Sequence, residues 1–163
     1  MASGETLVGW EGLTCYPPSS NYATFVVRNA HPAYNYDDTT QETRYFEGIV
    51  PSNYSGGDIT VYIHFAAASA TSGTGGWIIA FERIGDGAQD MDSDGFAADQ
   101  TVTAVTVPGT SGNVKISSLT VTAGSATDSI AAGEKFRLKV SRDVANDTAV
   151  GDLQLTGVEL REA

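Results

Sequence analysis

The sequence predicts an all-β protein, an antiparallel β-sandwich of jelly-roll type with roughly nine strands and at most one short helical turn. Three observations predict it. Apolar residues recur at alternate positions in short segments, clusters of Gly, Pro, Ser, Asn and Asp separate those segments, and no stretch shows the period of a long amphipathic helix. One domain suits the size, since 163 residues with 41% hydrophobic and 18% charged side chains can bury a core of their own. A mean hydropathy of −0.12 fits neither a disordered tail nor a membrane protein.

Taken in order, strands are expected at residues 6–10, 23–28, 43–50, 59–65, 77–81, 100–107, 114–122, 135–140 and 153–162. The clearest is 59–65, where Ile59, Val61, Ile63 and Phe65 alternate with Thr60, Tyr62 and His64, as one buried face requires. Phe136, Leu138 and Val140 alternate with Lys135, Arg137 and Lys139 in the same way. Residues 77–81 are apolar on both faces, which suits a strand covered on two sides. In two segments the phase slips: Val114 and Ile116 share a face that Leu119 and Val121 rejoin only through an extra residue near Ser117 and Ser118, and the same holds between Leu155 and Val158. Bulges are expected at both places. Residues 128–133 read as the helical turn, with Gly133 as its stop. Residues 1–20 form an N-terminal arm or edge segment, and residues 21–163 form the single sandwich domain.

A net charge of −11 argues against nucleic acid, because binding a phosphate backbone needs a cationic surface, and equally against anionic lipid. Cys15 is the lone cysteine, which removes any intramolecular disulfide and any multi-cysteine zinc site. The first residues hold no basic side chain and no apolar run follows, so no secretory signal is expected.

Catalytic chemistry finds no support. The chain has no G-x-S-x-G elbow, only His31 and His64 as imidazoles, and nothing that selects a working pair among 20 acids. A non-enzymatic role without a cofactor is expected. Asp90, Asp92 and Asp94, at alternate positions before Gly95, could wrap oxygens around Ca²⁺. The twelfth position of that loop is Thr101 rather than Glu and its flanks are strands, so an EF-hand is excluded; a solvated acidic loop is the simpler reading. Tyr34, Tyr36, Tyr45, Tyr54 and Trp77 could form a sugar-stacking face, although most are expected to pack between sheets or subunits. Lys135, Arg137, Lys139 and Arg142 supply four of the nine cations. They read either as a solvated strand face or as a docking stripe for an acidic surface on another copy.

Residues 78–86 (IIAFERIGD), 90–97 (DMDSDGFA), 105–114 (VTVPGTSGNV), 131–143 (AAGEKFRLKVSRD) and 147–162 (DTAVGDLQLTGVELRE), together with 29–37 and 45–58, resemble a family of small bacteriophage and phage-like metagenomic proteins. That resemblance implies a virion structural protein, foremost a capsid decoration protein that self-associates, commonly as a trimer, and docks on the major capsid protein. It implies synthesis in the host cytoplasm, residence in the virion, and a capsid-anchoring role for the N-terminal arm. The alternative expectation is a carbohydrate-binding module of a fibre or tail appendage, with a glycan as partner.

Overall fold

A computed structural model describes residues 3–87 and 89–163. Among the described residues the chain forms eleven strands: β1 Thr6–Glu11, β2 Cys15–Tyr16, β3 Thr24–Arg28, β4 His31–Tyr36, β5 Thr43–Ile49, β6 Ile59–Ala67, β7 Thr74–Ile84, β8 Gln100–Thr106, β9 Val114–Val121, β10 Lys135–Arg142 and β11 Leu153–Glu162. All of the strand pairs are antiparallel. One sheet runs β3-β4-β11-β6-β9, with β1 also on β11; the other runs β2-β5-β10-β7-β8. The expected antiparallel sandwich of jelly-roll type is what forms.

Side-chain alternation explains why the sheets face each other. In β6, Ile59, Val61, Ile63 and Phe65 are buried while Thr60, Tyr62 and His64 are half-exposed; in β10, Phe136, Leu138 and Val140 take the inner face. Removing these side chains from water is the main favourable contribution to the fold. Aromatic rings fill both ends of the core. Trp77 lies edge-on to Tyr36 at 5.1 Å and to Phe65 at 5.4 Å, and Trp10 packs against Phe46 and Phe136 while its indole N–H donates to the Glu47 carbonyl at 2.9 Å. Residues 6–16, placed by sequence within an arm or edge segment, are therefore built into the sandwich.

Three local expectations are corrected. β9 carries no bulge at Ser117 and Ser118, because its register with β6 is continuous from Ile59↔Val121 to Ala66↔Val114. Ser117, Leu119 and Val121 hold the inner face, while Val114 and Ile116 lie exposed on the outer one; two apolar pairs did not need a shared face. The helical turn sits earlier, as a three-residue 3₁₀ turn at Ser125–Thr127, followed by Asp128 and Ser129 with positive φ. β4 was not anticipated, since Pro32 and Asn35 disguise its alternation. Its hairpin partner β3 reaches it through Asn29 (φ 47°) and Ala30 (φ 63°), the two positive-φ positions of a type I′ turn. The expected irregularity in β11 is present between Leu155 and Gly157.

Candidate functional site

The outer face of the six-stranded sheet is hollowed by small residues. Gly9 of β1, Gly157 of β11, Ala33 of β4 and Ala66 of β6 all turn outward in the register of the sheet, so no large side chain fills the space above them. Two open hollows result, of about 390 Å³ and about 640 Å³, and both include Glu11 and Thr156 in their walls. They meet where β1 ends and β4 begins along the same edge of β11. Thr156 is the extra residue of the β11 bulge there, and its hydroxyl donates to the His64 carbonyl at 3.0 Å.

Polar side chains line this groove in fixed positions. Arg28 donates from Nη1 to the Ala67 carbonyl and to Gln154 Oε1, each at 2.9 Å. Gln154 Nε2 donates to Asn35 Oδ1 at 2.9 Å, and Asn35 Nδ2 to Asp152 Oδ2 at 2.9 Å. A chain of this kind orients each member before any ligand arrives. Gly112, at φ +86°, lies against the Arg28 guanidinium, and a Cβ there would come within 2.7 Å of Nη2. Toward the other end, Glu159 pairs with Arg161 at 2.8 Å and accepts from Thr6 Oγ1 at 2.5 Å; the Arg161 hydrogen bond holds its carboxyl below the usual range. The Arg161 guanidinium also lies 4.5 Å from the centre of the Tyr62 ring.

The residues singled out by sequence lie elsewhere. Lys135, Arg137 and Lys139 do share the outer face of the five-stranded sheet, but each has a carboxylate of this chain: Glu47 at 2.9 Å for Lys135, Glu82 for Arg137 and Asp99 for Lys139. Arg142 is not part of that stripe. It falls in the phase of Val140 and Leu138 and is 0% exposed. Asp90 and Asp94 each turn one carboxylate oxygen back on their own turn, since Asp90 Oδ1 accepts from the Asp92 N–H at 3.0 Å and Asp94 Oδ2 from the Asp90 N–H at 2.6 Å. Among the described residues no group of three or more His, Cys, Asp or Glu is gathered to hold a metal ion.

The aromatics chosen as a sugar face mostly pack inside. Tyr36 and Trp77 are fully buried, Tyr34 and Tyr54 nearly so, and Tyr45 lies beneath Phe96 in a stack with 5.2 Å between centroids. Phe96 also faces Arg137 and Lys139, so the segment after β7 covers the outer face of that sheet. Sequence reasoning missed the groove, although a signal existed: Gly9 within a strand, and the outward phase of β6 ending in Ala66, both mark places where something can approach the backbone.

At the Asp152 end of the hydrogen-bonded chain from Arg28, an acidic corner gathers Asp37, Asp38, Glu42 and Asp152. Burial, followed by the charges of neighbouring carboxylates, raises the Glu42 and Asp152 carboxyls above their ordinary values. A carboxyl whose folded value is raised stabilises the fold while protonated and loses that contribution as pH rises through the carboxyl range. Glu42→Gln keeps an acceptor for the Asp37 N–H, bound now at 2.9 Å. The variant should therefore melt at a higher temperature than the parent at about pH 7, with the gap closing below about pH 4. Thermal melts across that span check it, and equal melting temperatures at neutral pH would refute it.

No protein-family model and no curated protein matches the chain. Solved structures do. A Clostridium thermocellum endo-1,4-β-D-xylanase structure with CBM22-1 and GH10 modules, complexed with xylohexaose, matches 96% of this chain at 12% identity and TM-score 0.54. This chain spans only 28% of its length. A CBM6 module of Clostridium stercorarium in complex with cellobiose matches at 10% identity and TM-score 0.53, covering 96% of this chain and 95% of that one. The CBM22-1 xylan-binding domain of Paenibacillus barcinonensis Xyn10C matches at 12% identity and TM-score 0.50, covering 99% and 96%. At such identities the likeness establishes a fold, the β-sandwich found in carbohydrate-binding modules. It also overturns the expectation of a capsid decoration protein: these three matches are carbohydrate-binding modules, one of them joined to a xylanase module, and none of the three is a virion component.

Proposed function

We propose that the protein is a non-catalytic glycan-binding module, and that it holds an uncharged oligosaccharide chain in the groove across the outer face of the six-stranded sheet. One observation carries the reading: a small-residue floor formed by Gly9, Gly157, Ala33 and Ala66 beneath prefixed donors and acceptors on Arg28, Gln154 and Thr156. A sugar chain offers hydroxyls to such groups and apolar C–H faces to the floor. Glu11 and Glu159 in the walls disfavour an acidic sugar by like charge. A CBM6 module of the same fold is complexed with cellobiose, and a structure that joins a CBM22-1 module to a GH10 module is complexed with xylohexaose, which supports a neutral β-linked chain as ligand.

Filling the groove tests this. Gly9 has no positive φ and an added Cβ would meet nothing within 4 Å, so Gly9→Tyr enters open space, and a strand tolerates Tyr better than Gly. In calorimetric titrations and on an array of neutral oligosaccharides including xylohexaose and cellobiose, the parent should bind saturably. Gly9→Tyr should lose tenfold or more of that affinity, about 1.4 kcal/mol, with its melting temperature unchanged or higher. Absence of binding across the array, or full affinity in Gly9→Tyr, would overturn the proposal.

A further inference from the structure

β3 is the outer strand of its sheet, paired on one side only with β4, and it lacks the devices that keep an edge from pairing. It holds no Lys, no Pro and no bulge, where protected edges carry one or more of these. Phe25 and Val27 are 52% and 57% exposed, and the neighbouring Tyr22 is 45% exposed. Phe25 leans on Tyr34 with 5.8 Å between ring centroids, so one side of the apolar pair is fixed and the other faces solvent.

Charge argues for the occupant. The molecule carries a net −11, with 20 carboxylates, yet residues 12–36 contain none. Arg28, the only Lys or Arg in that stretch, is engaged internally by Ala67 and Gln154. A strongly acidic protein repels its own copies less along such a neutral edge than where carboxylates cluster; β9, the outer strand at the other end of this sheet, is also free of carboxylates but carries Lys115, a device that β3 lacks.

Backbone geometry supplies a register. In a two-residue hairpin the residues flanking the turn form a hydrogen-bonded pair, here Arg28↔His31. Alternation then makes Val27↔Pro32 a non-bonded pair, which suits a proline with no N–H, and Val26↔Ala33 a bonded one. The N–H and C=O groups of Phe25 and Val27 consequently point away from β4, toward the open edge.

We infer that two copies of this chain join through β3, antiparallel about a two-fold axis at Val26, so that the six-stranded sheets become continuous. Val26 then faces its counterpart as a non-bonded pair. Phe25 of each copy exchanges two backbone hydrogen bonds with Val27 of the other, and their side chains cover one another on the inner side. Self-complementarity of this kind is what a two-fold interface demands. The axis stands perpendicular to the joined sheet, so the outer faces of both copies, and both grooves, look the same way. The dimer does not depend on the glycan reading. If that reading holds, paired grooves on one side give avidity toward a polymer or a densely glycosylated surface.

Sedimentation velocity over a wide concentration range should show a species of about twice 17.0 kDa growing with concentration. Val26→Lys places two cations face to face and should weaken association at least tenfold, with the monomer fold retained by circular dichroism. In a Cys15→Ser background, Val26→Cys should form an intermolecular disulfide on mild oxidation, because a non-bonded antiparallel pair brings Cα atoms to about 4.5 Å. Thr24→Cys should not, since the two copies of residue 24 would lie about 13 Å apart along the strands. The groove-filled Gly9→Tyr variant should dimerise like the parent, which separates this test from that of glycan binding. A monomer at every concentration, or a dimer that persists in Val26→Lys and gives no Val26→Cys crosslink, overturns the inference.

Discussion

Arg142→Met should cost on the order of 3–5 kcal/mol of stability and leave the protein largely unfolded if its total stability is ordinary for its size. The guanidinium is 0% exposed and all of its donors have acceptors. Nε and Nη2 reach the two Asp147 oxygens at 2.5 and 3.2 Å, Nη1 the carbonyls of Tyr36 and Gly151 at 3.0 and 2.8 Å, and Nη2 the Ala149 carbonyl at 2.8 Å. Met matches the volume of the stem but strands a carboxylate that is itself nearly inaccessible, together with three carbonyls. An unpaired buried charge costs far more than the pair contributes. Arg142→Lys keeps the charge and loses the planar fork, so it should fall between the two. Urea denaturation midpoints of the three proteins check this; a loss below about 1 kcal/mol for Arg142→Met would show that the loop from Asp143 to Asp152 relaxes freely without its anchor.

The same residue shows how far the sequence could be read. Alternation in β10 placed Phe136, Leu138 and Val140 inside correctly, and by the same count Arg142 belongs with them. Grouping it with Lys135, Arg137 and Lys139 by charge alone put it on the wrong face. Strands β6 and β10 were legible because their apolar phase and their turn residues agreed, β7 because its run is apolar on both faces, and β11 because one extra residue restores its phase. β4 was hidden because Pro32 and Asn35 are poor strand residues that a hairpin partner and a type I′ turn override. The groove was harder still: it consists of absent side chains, and Gly9, Ala33, Ala66 and Gly157 come from four strands whose adjacency the sequence does not state. The charged stripe was visible, but its carboxylate partners Glu82 and Asp99 come from another strand and a loop, so its neutralisation was not.

Gly73→Ala should lose on the order of 3 kcal/mol, because strain and collision coincide there. Gly73 has φ +90°, and a Cβ would stand 2.7 Å from the Thr148 carbonyl oxygen and 2.9 Å from both Ala149 Cα and N. These are backbone atoms that cannot swing aside. They are also pinned: the Thr74 carbonyl accepts from the Thr148 and Ala149 N–H groups, each at 3.0 Å, and the Gly73 carbonyl accepts from Val107 at 3.0 Å. Gly56 separates the two causes, since it has φ +86° with nothing within 4 Å of an added Cβ. Gly56→Ala should therefore show strain alone, about 1 kcal/mol. Equal losses at the two positions would mean that the close approach at Gly73 is relieved at no cost. The segment that Gly73 touches is the one Arg142 holds through Ala149 and Asp147, so the two sites are not independent. Once either change has released that segment the other has less left to disrupt, and Gly73→Ala combined with Arg142→Lys should destabilise by less than the sum of the single variants.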